Sequence, residues 1–259
     1  MGLPVQKLVI ATNENDILHR FWQSGKYEKK EVHGAEAEGG IPEDGVKAHE
    51  DGAKETLSPA MDILVSSNFE RLLWFLAYDV YSSTSDAIGQ RRACAGDHVK
   101  DWLHALKTKG GFRVDNIILE AAKRDFESER VSDAETLSTI AEVYRWPAPE
   151  GTVGHGYILD PHSAIGVAAA VRSLQRSPPP TAHHISLSTA HPAKFSRAVD
   201  MALQGEKGYS FDLVLPEEFR GLEDKPRRVS NVKKSDGWEG VRRVVVAEVE
   251  AELSAAEQA

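Results

Sequence analysis

Two stretches of this chain hold side chains whose type and spacing suit chemistry. In the first, Ile185-Ser186-Leu187-Ser188-Thr189-Ala190-His191-Pro192-Ala193-Lys194-Phe195, an apolar, strand-like run ends on hydroxyls and leads into a helix start marked by Pro192. In an α/β protein the residue just past the carboxyl end of a strand sits where ligands bind. A hydroxyl there donates or accepts, so Thr189 suits a neutral ring nitrogen better than a carboxylate would. The second stretch, Asp160-Pro161-His162-Ser163-Ala164-Ile165-Gly166, is another strand end that opens a helix. Two such turns predict a site along one edge of a sheet. Neither supplies a catalytic nucleophile. On spacing alone an ordinary alternative stays open, and spacing favours it: Thr189 satisfies a helix N-terminus before Pro192, and His191 is a packed histidine.

Other chemistries are poorly served. The ten histidines form no His-Glu-x-x-His pattern, and His183 and His184 are adjacent, so a strand would aim them at opposite faces. With the single cysteine Cys94 there is no internal disulfide and no cysteine-based zinc site, and no metal is expected. No G-x-S-x-G elbow, P-loop or G-x-G-x-x-G occurs. Gly151-Thr152-Val153-Gly154-His155-Gly156 is glycine-rich but follows a proline-rich break rather than a clear strand. A net charge of −9 over 259 residues, without basic clusters, argues against a nucleic-acid surface. Apolar residues at 41% and charged residues at 27% are ordinary for a soluble globular protein. No apolar run approaches the roughly 20 residues of a membrane helix, and Met1 to Val5 is not a signal peptide. The expected location is the cytoplasm.

The elements that must position these turns alternate between strand and helix. Val5 to Ala11 reads as a buried strand, followed by a polar exit in which Asn13 or Asn15 caps a helix starting at Asp16 and ending at Gly25. Residues 26–56 hold many glycines and acids and few large apolar side chains, and read as an exposed, mobile insertion. Ser67-Asn68-Phe69-Glu70 reads as a capping box, with Phe69, Leu72, Leu73, Leu76 and Val80 on one helical face. Helices are expected at Asp97–Leu106 and Asn116–Arg124 around a short strand at Phe112–Val114, and from a capping box at Ser132-Asp133-Ala134-Glu135 to about Tyr144. Tyr157–Leu159 reads as a strand, Asp160 as the cap of a nearly apolar helix, Ser177 to Pro180 as a rigid break, and His184–Leu187 as a strand leading to a helix over Pro192–Leu203. A final helix covers about 238–259. The pattern predicts an α/β class with a parallel, helix-flanked sheet.

Five segments then occur in order: Ala11-Thr12-Asn13-Glu14-Asn15-Asp16-Ile17-Leu18, Thr56-Leu57-Ser58-Pro59-Ala60-Met61-Asp62-Ile63, Ser66-Ser67-Asn68-Phe69-Glu70-Arg71, Asp160-Pro161-His162-Ser163-Ala164, and Leu187 to Phe195. Together they resemble the C-terminal part of threonine synthase, in the branch shared by fungi and many bacteria. The resemblance covers nearly the whole chain. It implies the C-terminal portion of the large domain of a pyridoxal-phosphate enzyme of the tryptophan-synthase-β-like fold. It also implies O-phosphohomoserine as substrate, turned with water into threonine and phosphate, the cofactor ring acting as electron sink.

Thr189 matches the family's hydroxyl partner of the cofactor ring nitrogen. Asn13, Asn15, Asp16, Asp160, His162, Ser163 and His191 are expected to shape and support the pocket. Asn68 and Arg71 match a family motif, with Arg71 read as a structural pair. The family's Schiff-base lysine and its glycine-rich phosphate loop lie upstream of this region and are expected to be absent from the chain, as is the family's small domain. Lys194 is not that lysine, so no catalytic residue is assigned. The chain alone is expected to be inactive and poorly soluble, and its expected partner is the missing N-terminal part of the same enzyme. A reading of another class is a non-catalytic remnant or interaction protein that retains half of the fold. An unrelated nucleotide binder is disfavoured by the missing glycine fingerprints.

Overall fold

A computed structural model describes residues 4–29, 52–83, 86–148, 156–176, 183–222, 224–227 and 229–257. The chain separates into two compact units, Met1–Val214 and Leu215–Ala259. In the first, β1 (Leu8–Thr12) runs into α1 (Ile17–Ser24) and β2 (Lys26–Glu28). After a 3-10 turn at Pro59–Met61 come α2 (Ser67–Tyr81), α3 (Ile88–Lys109), β3 (Gly111–Arg113), α4 (Asn116–Asp125) and β4 (Phe126–Arg130). Then follow α5 (Asp133–Arg145), α6 (Pro161–Arg176), a 3-10 turn at Pro192–Lys194 and α7 (Ser196–Leu203). The second unit contains α8 (Gly237–Glu257).

The parallel pairing expected of the fold is present between β1 and β4, in register from Leu8 opposite Phe126 to Thr12 opposite Arg130. β2 and β3 form a separate antiparallel pair. The β1–β4 ribbon lies between two apolar layers, as an α/β unit requires. Ile10 and Phe126 pack on the cluster of α1, α2, α3 and α4, which holds Phe21, Trp22, Leu73 and Ile118. Ala11 and Val131 pack on Ile165 and Ala168 of α6. A third cluster joins α5, α6 and α7 through Ile140, Tyr144, Ala164, Val199 and Leu203.

Local chemistry explains the element ends. Gly25 closes α1 at φ 71°, a left-handed conformation that glycine adopts without strain, and its N–H returns to the Phe21 carbonyl. The Ser132 hydroxyl accepts from the Glu135 N–H, and the Glu135 carboxylate accepts from Ser132, the reciprocal box read from the sequence. In α2 the cap is Ser66, one residue earlier than expected, with its Oγ accepting from Phe69 N at 3.4 Å. The buried face of α2 is Phe69, Leu73, Leu76 and Ala77. Leu73 is fully buried, in a cluster that also holds Phe21, Trp22 and Phe69. Leu73→Ala should therefore lower unfolding free energy by about 2–5 kcal/mol in urea titration, and a loss under about 1 kcal/mol would contradict this packing.

Several expectations are corrected. Asp16, not an asparagine, occupies the cap position of α1, and its side chain makes no cap bond. β1 is half-exposed rather than buried, with Leu8 at its open end. The reading of 26–56 as an insertion fails at its ends: Lys26–Glu28 is a paired strand, and Ala53 is fully buried. Residues 30–51 of that reading, the glycines at 151–154 and the prolines at 178–180 lie outside the described residues. Tyr157–Leu159 and His184–Leu187 form no strand ladder, because neither segment has a backbone partner among the described residues. The last helix before residue 204 divides, with a 3-10 turn at Pro192–Lys194 and α7 only from Ser196. Among the described residues no helix is long and apolar enough to cross a membrane.

Candidate functional site

Four segments meet here: the turn after β1, the loop from residue 52 to 66, the first turn of α6, and residues 186–191. Their meeting is polar and dense. Asp62, just past the 3-10 turn, gathers the first two segments. Its Oδ1 accepts from Thr56 Oγ1 at 2.7 Å, Asn13 Nδ2 at 2.8 Å and Asn15 Nδ2 at 2.9 Å, and its Oδ2 accepts from Thr56 N at 2.9 Å. Asn13 is 1% exposed, and its amide also reaches Thr56 Oγ1 at 2.8 Å and Ser58 Oγ at 3.0 Å. Its carbonyl accepts the Asn15 N–H at 2.9 Å, an Asx turn that ends β1. Asn15 exchanges bonds with the Lys54 backbone, its Oδ1 accepting at 2.8 Å and its Nδ2 donating at 2.9 Å. Each buried amide and hydroxyl thus finds partners, as burial of such groups requires.

Charges flank this knot. Partial burial works to raise the Glu14 carboxyl, but the Lys54 ammonium that donates to it and the Asp133 N–H outweigh burial and hold it below the usual carboxylate range. Burial pushes the neighbouring Asp133 carboxyl up, and the charges of Glu14 and Asp62 add to this against the Leu57 N–H. Asp16 faces elsewhere. It accepts from Arg20 Nε at 3.0 Å and pairs with Arg130 Nε at 3.5 Å, tying α1 to the end of β4.

The second polar centre is the cap of α6. Asp160 is 1% exposed. Its Oδ1 accepts from His162 N at 2.9 Å, Ser163 N at 3.3 Å and His162 Nδ1 at 3.1 Å, and its Oδ2 accepts from Ser163 Oγ. Burial alone would raise this carboxyl. The His162 and Ser163 donors prevail and hold it below its ordinary value. His162 Nε2 accepts from Ala60 N at 3.2 Å, so the ring is neutral and its proton sits on Nδ1. The same ring packs on Phe195, centroid to centroid 4.5 Å. His162 thereby ties the α6 cap to the 3-10 turn between Ser58 and Asp62, and the two polar centres become one assembly.

Thr189 stands at its edge. Its N–H donates to Ser163 Oγ at 3.2 Å, while its side chain is exposed and its hydroxyl has no partner among the described residues. The hydroxyl is therefore neither sealed in packing nor spent on a helix end. His191 takes the capping work instead, its Nδ1 accepting from Ala193 N at 3.2 Å at the start of the 3-10 turn. Asn68 and Arg71 pair with each other on an exposed face of α2. Among the described residues no group of three or more His, Cys, Asp or Glu could hold a metal.

A family model described as "Threonine synthase, C-terminal" matches residues 163–245, which include Thr189. Threonine synthase of Saccharomyces cerevisiae is 45% identical over 238 residues, 91% of this chain and 40% of that protein. The chain is similar to the C-terminal part of the threonine synthases. The crystal structure of threonine synthase from yeast superposes with a TM-score of 0.74 at 43% identity, covering 98% of this chain and 43% of that one. A PLP-bound threonine synthase from Brucella melitensis superposes at 0.59 with 33% identity, over 88% of this chain and 37% of that one. The chain spans about 40% of the length of the curated relatives it matches.

Of the site residues read from the sequence, Asn13, Asn15, Asp160, His162, Ser163 and Thr189 come together, whereas Asp16 pairs with Arg20 and Arg130 and His191 caps its own 3-10 turn. Asp62, Thr56 and Ser58 carry the assembly, although the sequence alone assigns them no site role. Their signal was present: two hydroxyls ahead of Pro59 and an acid three residues beyond it. Such a cluster reads as an ordinary turn until Asn13 and Asn15 are known to face it.

Proposed function

We propose that this chain is the C-terminal part of a pyridoxal-phosphate-dependent threonine synthase, which converts O-phosphohomoserine and water to threonine and phosphate. The carrying observation is the Thr189 hydroxyl: exposed, without a partner among the described residues, and held by its backbone against a buried polar assembly. The donor chemistry fits the cofactor. A hydroxyl meets an unprotonated pyridine nitrogen as a donor and brings no charge that would protonate it. When bound, pyridoxal phosphate supplies an electron-poor ring that stabilises carbanions. In this reading Thr189 orients that ring at its nitrogen. Asp160, Ser163 and His162 hold the segment that presents Thr189, and Asn13 and Asn15 hold the adjoining loop.

The reading includes a partner, the N-terminal part of such an enzyme, which relatives carry in the remainder of their length. Ile185 at 82% exposure and Leu187 at 75% lie two residues apart, the spacing of one strand face. They suit a surface that this partner covers. A cytoplasmic location goes with the reading, in keeping with a single free cysteine.

The test is a chimera in which the N-terminal portion of the Saccharomyces cerevisiae relative is joined to this chain. Restored growth of a threonine auxotroph, and phosphate release from O-phosphohomoserine by the purified protein, are expected. A folded chimera that binds pyridoxal phosphate yet forms no threonine would overturn the reading and favour a non-catalytic role.

A further inference from the structure

Asp160 carries a buried negative charge, and among the described residues no lysine or arginine pairs with it; His162, which lies against it, is neutral because its Nε2 accepts from Ala60 N. An ionised carboxylate only accepts. Every proton around it must therefore point inward, and this settles two side chains that are ambiguous by themselves. The Ser163 hydroxyl donates to Asp160 Oδ2, so its lone pairs face away. His162 donates from Nδ1, so Nε2 carries a lone pair. Each outward lone pair then receives a backbone N–H from a different loop, Thr189 at 3.2 Å and Ala60 at 3.2 Å. One carboxylate turns two neighbours into acceptors, and each acceptor docks one segment.

A second contact runs beside the Thr189 bond. Ser186 Oγ lies against Gly166, where an added Cβ would come within 2.7 Å of it. Residues 163 and 166 lie about one turn apart on α6, and residues 189 and 186 meet them in reverse order. The segment 186–189 thus runs antiparallel along the first turn of α6. It is held by a hydrogen bond at one end and by the smallness of Gly166 at the other. Without a strand ladder, these are the ties that decide where residue 189 stands.

We propose that Asp160 is a positioning residue for Thr189, acting through Ser163, so that the Thr189 hydroxyl is set toward the cofactor ring nitrogen. This rests on the threonine synthase reading above only for the identity of what the hydroxyl faces.

The test is hydrogen exchange at the Thr189 amide in the full chain, with the Val199 amide of α7 as internal reference. Ser163→Ala removes the acceptor. Exchange at Thr189 should rise about ten-fold, the loss of one net hydrogen bond, with Val199 unchanged. Ser163→Thr, which keeps a hydroxyl, should restore protection. Equal Thr189 exchange in parent and Ser163→Ala, or an equal rise at Val199, overturns the proposal. Asp160→Asn decides the matter should Ser163→Ala not fold. It keeps one oxygen for the cap and frees the Ser163 rotor, so Thr189 should exchange several-fold faster, and parent-like exchange refutes the relay. In the cofactor-loaded chimera, Ser163→Ala should move the cofactor absorption band in the direction that Thr189→Val moves it; a band identical to the parent's also overturns the proposal. The exchange experiment needs no cofactor, so its failure leaves the threonine synthase reading intact, and a chimera without activity leaves the exchange result intact.

Discussion

Replacing Asp160 by alanine is expected to lower the unfolding free energy of this chain by about 3–5 kcal/mol. Four donors converge on this carboxylate: the His162 and Ser163 amides, the His162 ring and the Ser163 hydroxyl. Loss of the helix cap alone costs about 0.5–2 kcal/mol. The buried side-chain donors add about 1–3 kcal/mol for each one left unmatched, although Ser163 and His162 can turn to recover part of it. Asp160→Asn, which keeps one acceptor oxygen, should cost less.

The pH dependence has a definite sign. The folded carboxyl titrates below its ordinary value, which is about 3.9 in an unfolded chain. Its contribution is therefore complete above that unfolded value and is lost as pH falls through the lower folded one. The gap between parent and Asp160→Asn should be flat from pH 5 to 8 and shrink on further acidification. Urea titration followed by tryptophan fluorescence at several pH values reads both effects. Matching midpoints at neutral pH, or a gap that widens in acid, would remove Asp160 from the centre of this account.

Thr189→Val should do the opposite, leaving stability alone and damaging function. The side chain is exposed and its hydroxyl holds nothing among the described residues, so the change in unfolding free energy should stay within about 0.5 kcal/mol. In the chimera the same substitution deletes the hydroxyl proposed to meet the cofactor ring nitrogen while keeping the branched shape. If that bond contributes about 2–3 kcal/mol to the transition state, the rate of threonine formation should fall by roughly 30- to 150-fold. Thr189→Ser should retain most of the rate. A Thr189→Val chimera within two-fold of its parent would show that the hydroxyl does not meet the reacting system.

The strand β4 shows why part of the fold is not legible in residue order. Phe126-Glu127-Ser128-Glu129-Arg130 has none of the apolar alternation of a strand. It is one because it pairs with β1, and its acids are tolerated there because they face arginines. Glu129 is bound by Arg172 and Arg176 of α6, and Glu127 lies 3.7 Å from Arg176. On the α1 side, Ser128 meets His19 Nδ1 at 3.0 Å. A hydropathy pattern cannot report charge neutralised by a helix more than 40 residues away. His184–Leu187 is the inverse case, with alternation in its sequence but no partner strand among the described residues. A strand is a property of two segments, and one segment's pattern states only half of it.

The caps at Ser132 and Asp160, the stop at Gly25 and the nearly apolar α6 were legible from residue order, because each depends on contacts within a few positions of chain. The suitability of Thr189 for a neutral ring nitrogen was legible for the same reason: a hydroxyl's donor and acceptor capacity belongs to the residue itself. Direction was not. Whether Ser163 offers a proton or a lone pair, which nitrogen of His162 is protonated, and whether Asn13 caps a helix or binds Asp62 are choices among equal local options. Each was settled by a group brought near through folding, and the nearest carboxylate, Asp160 or Asp62, decided every one of them.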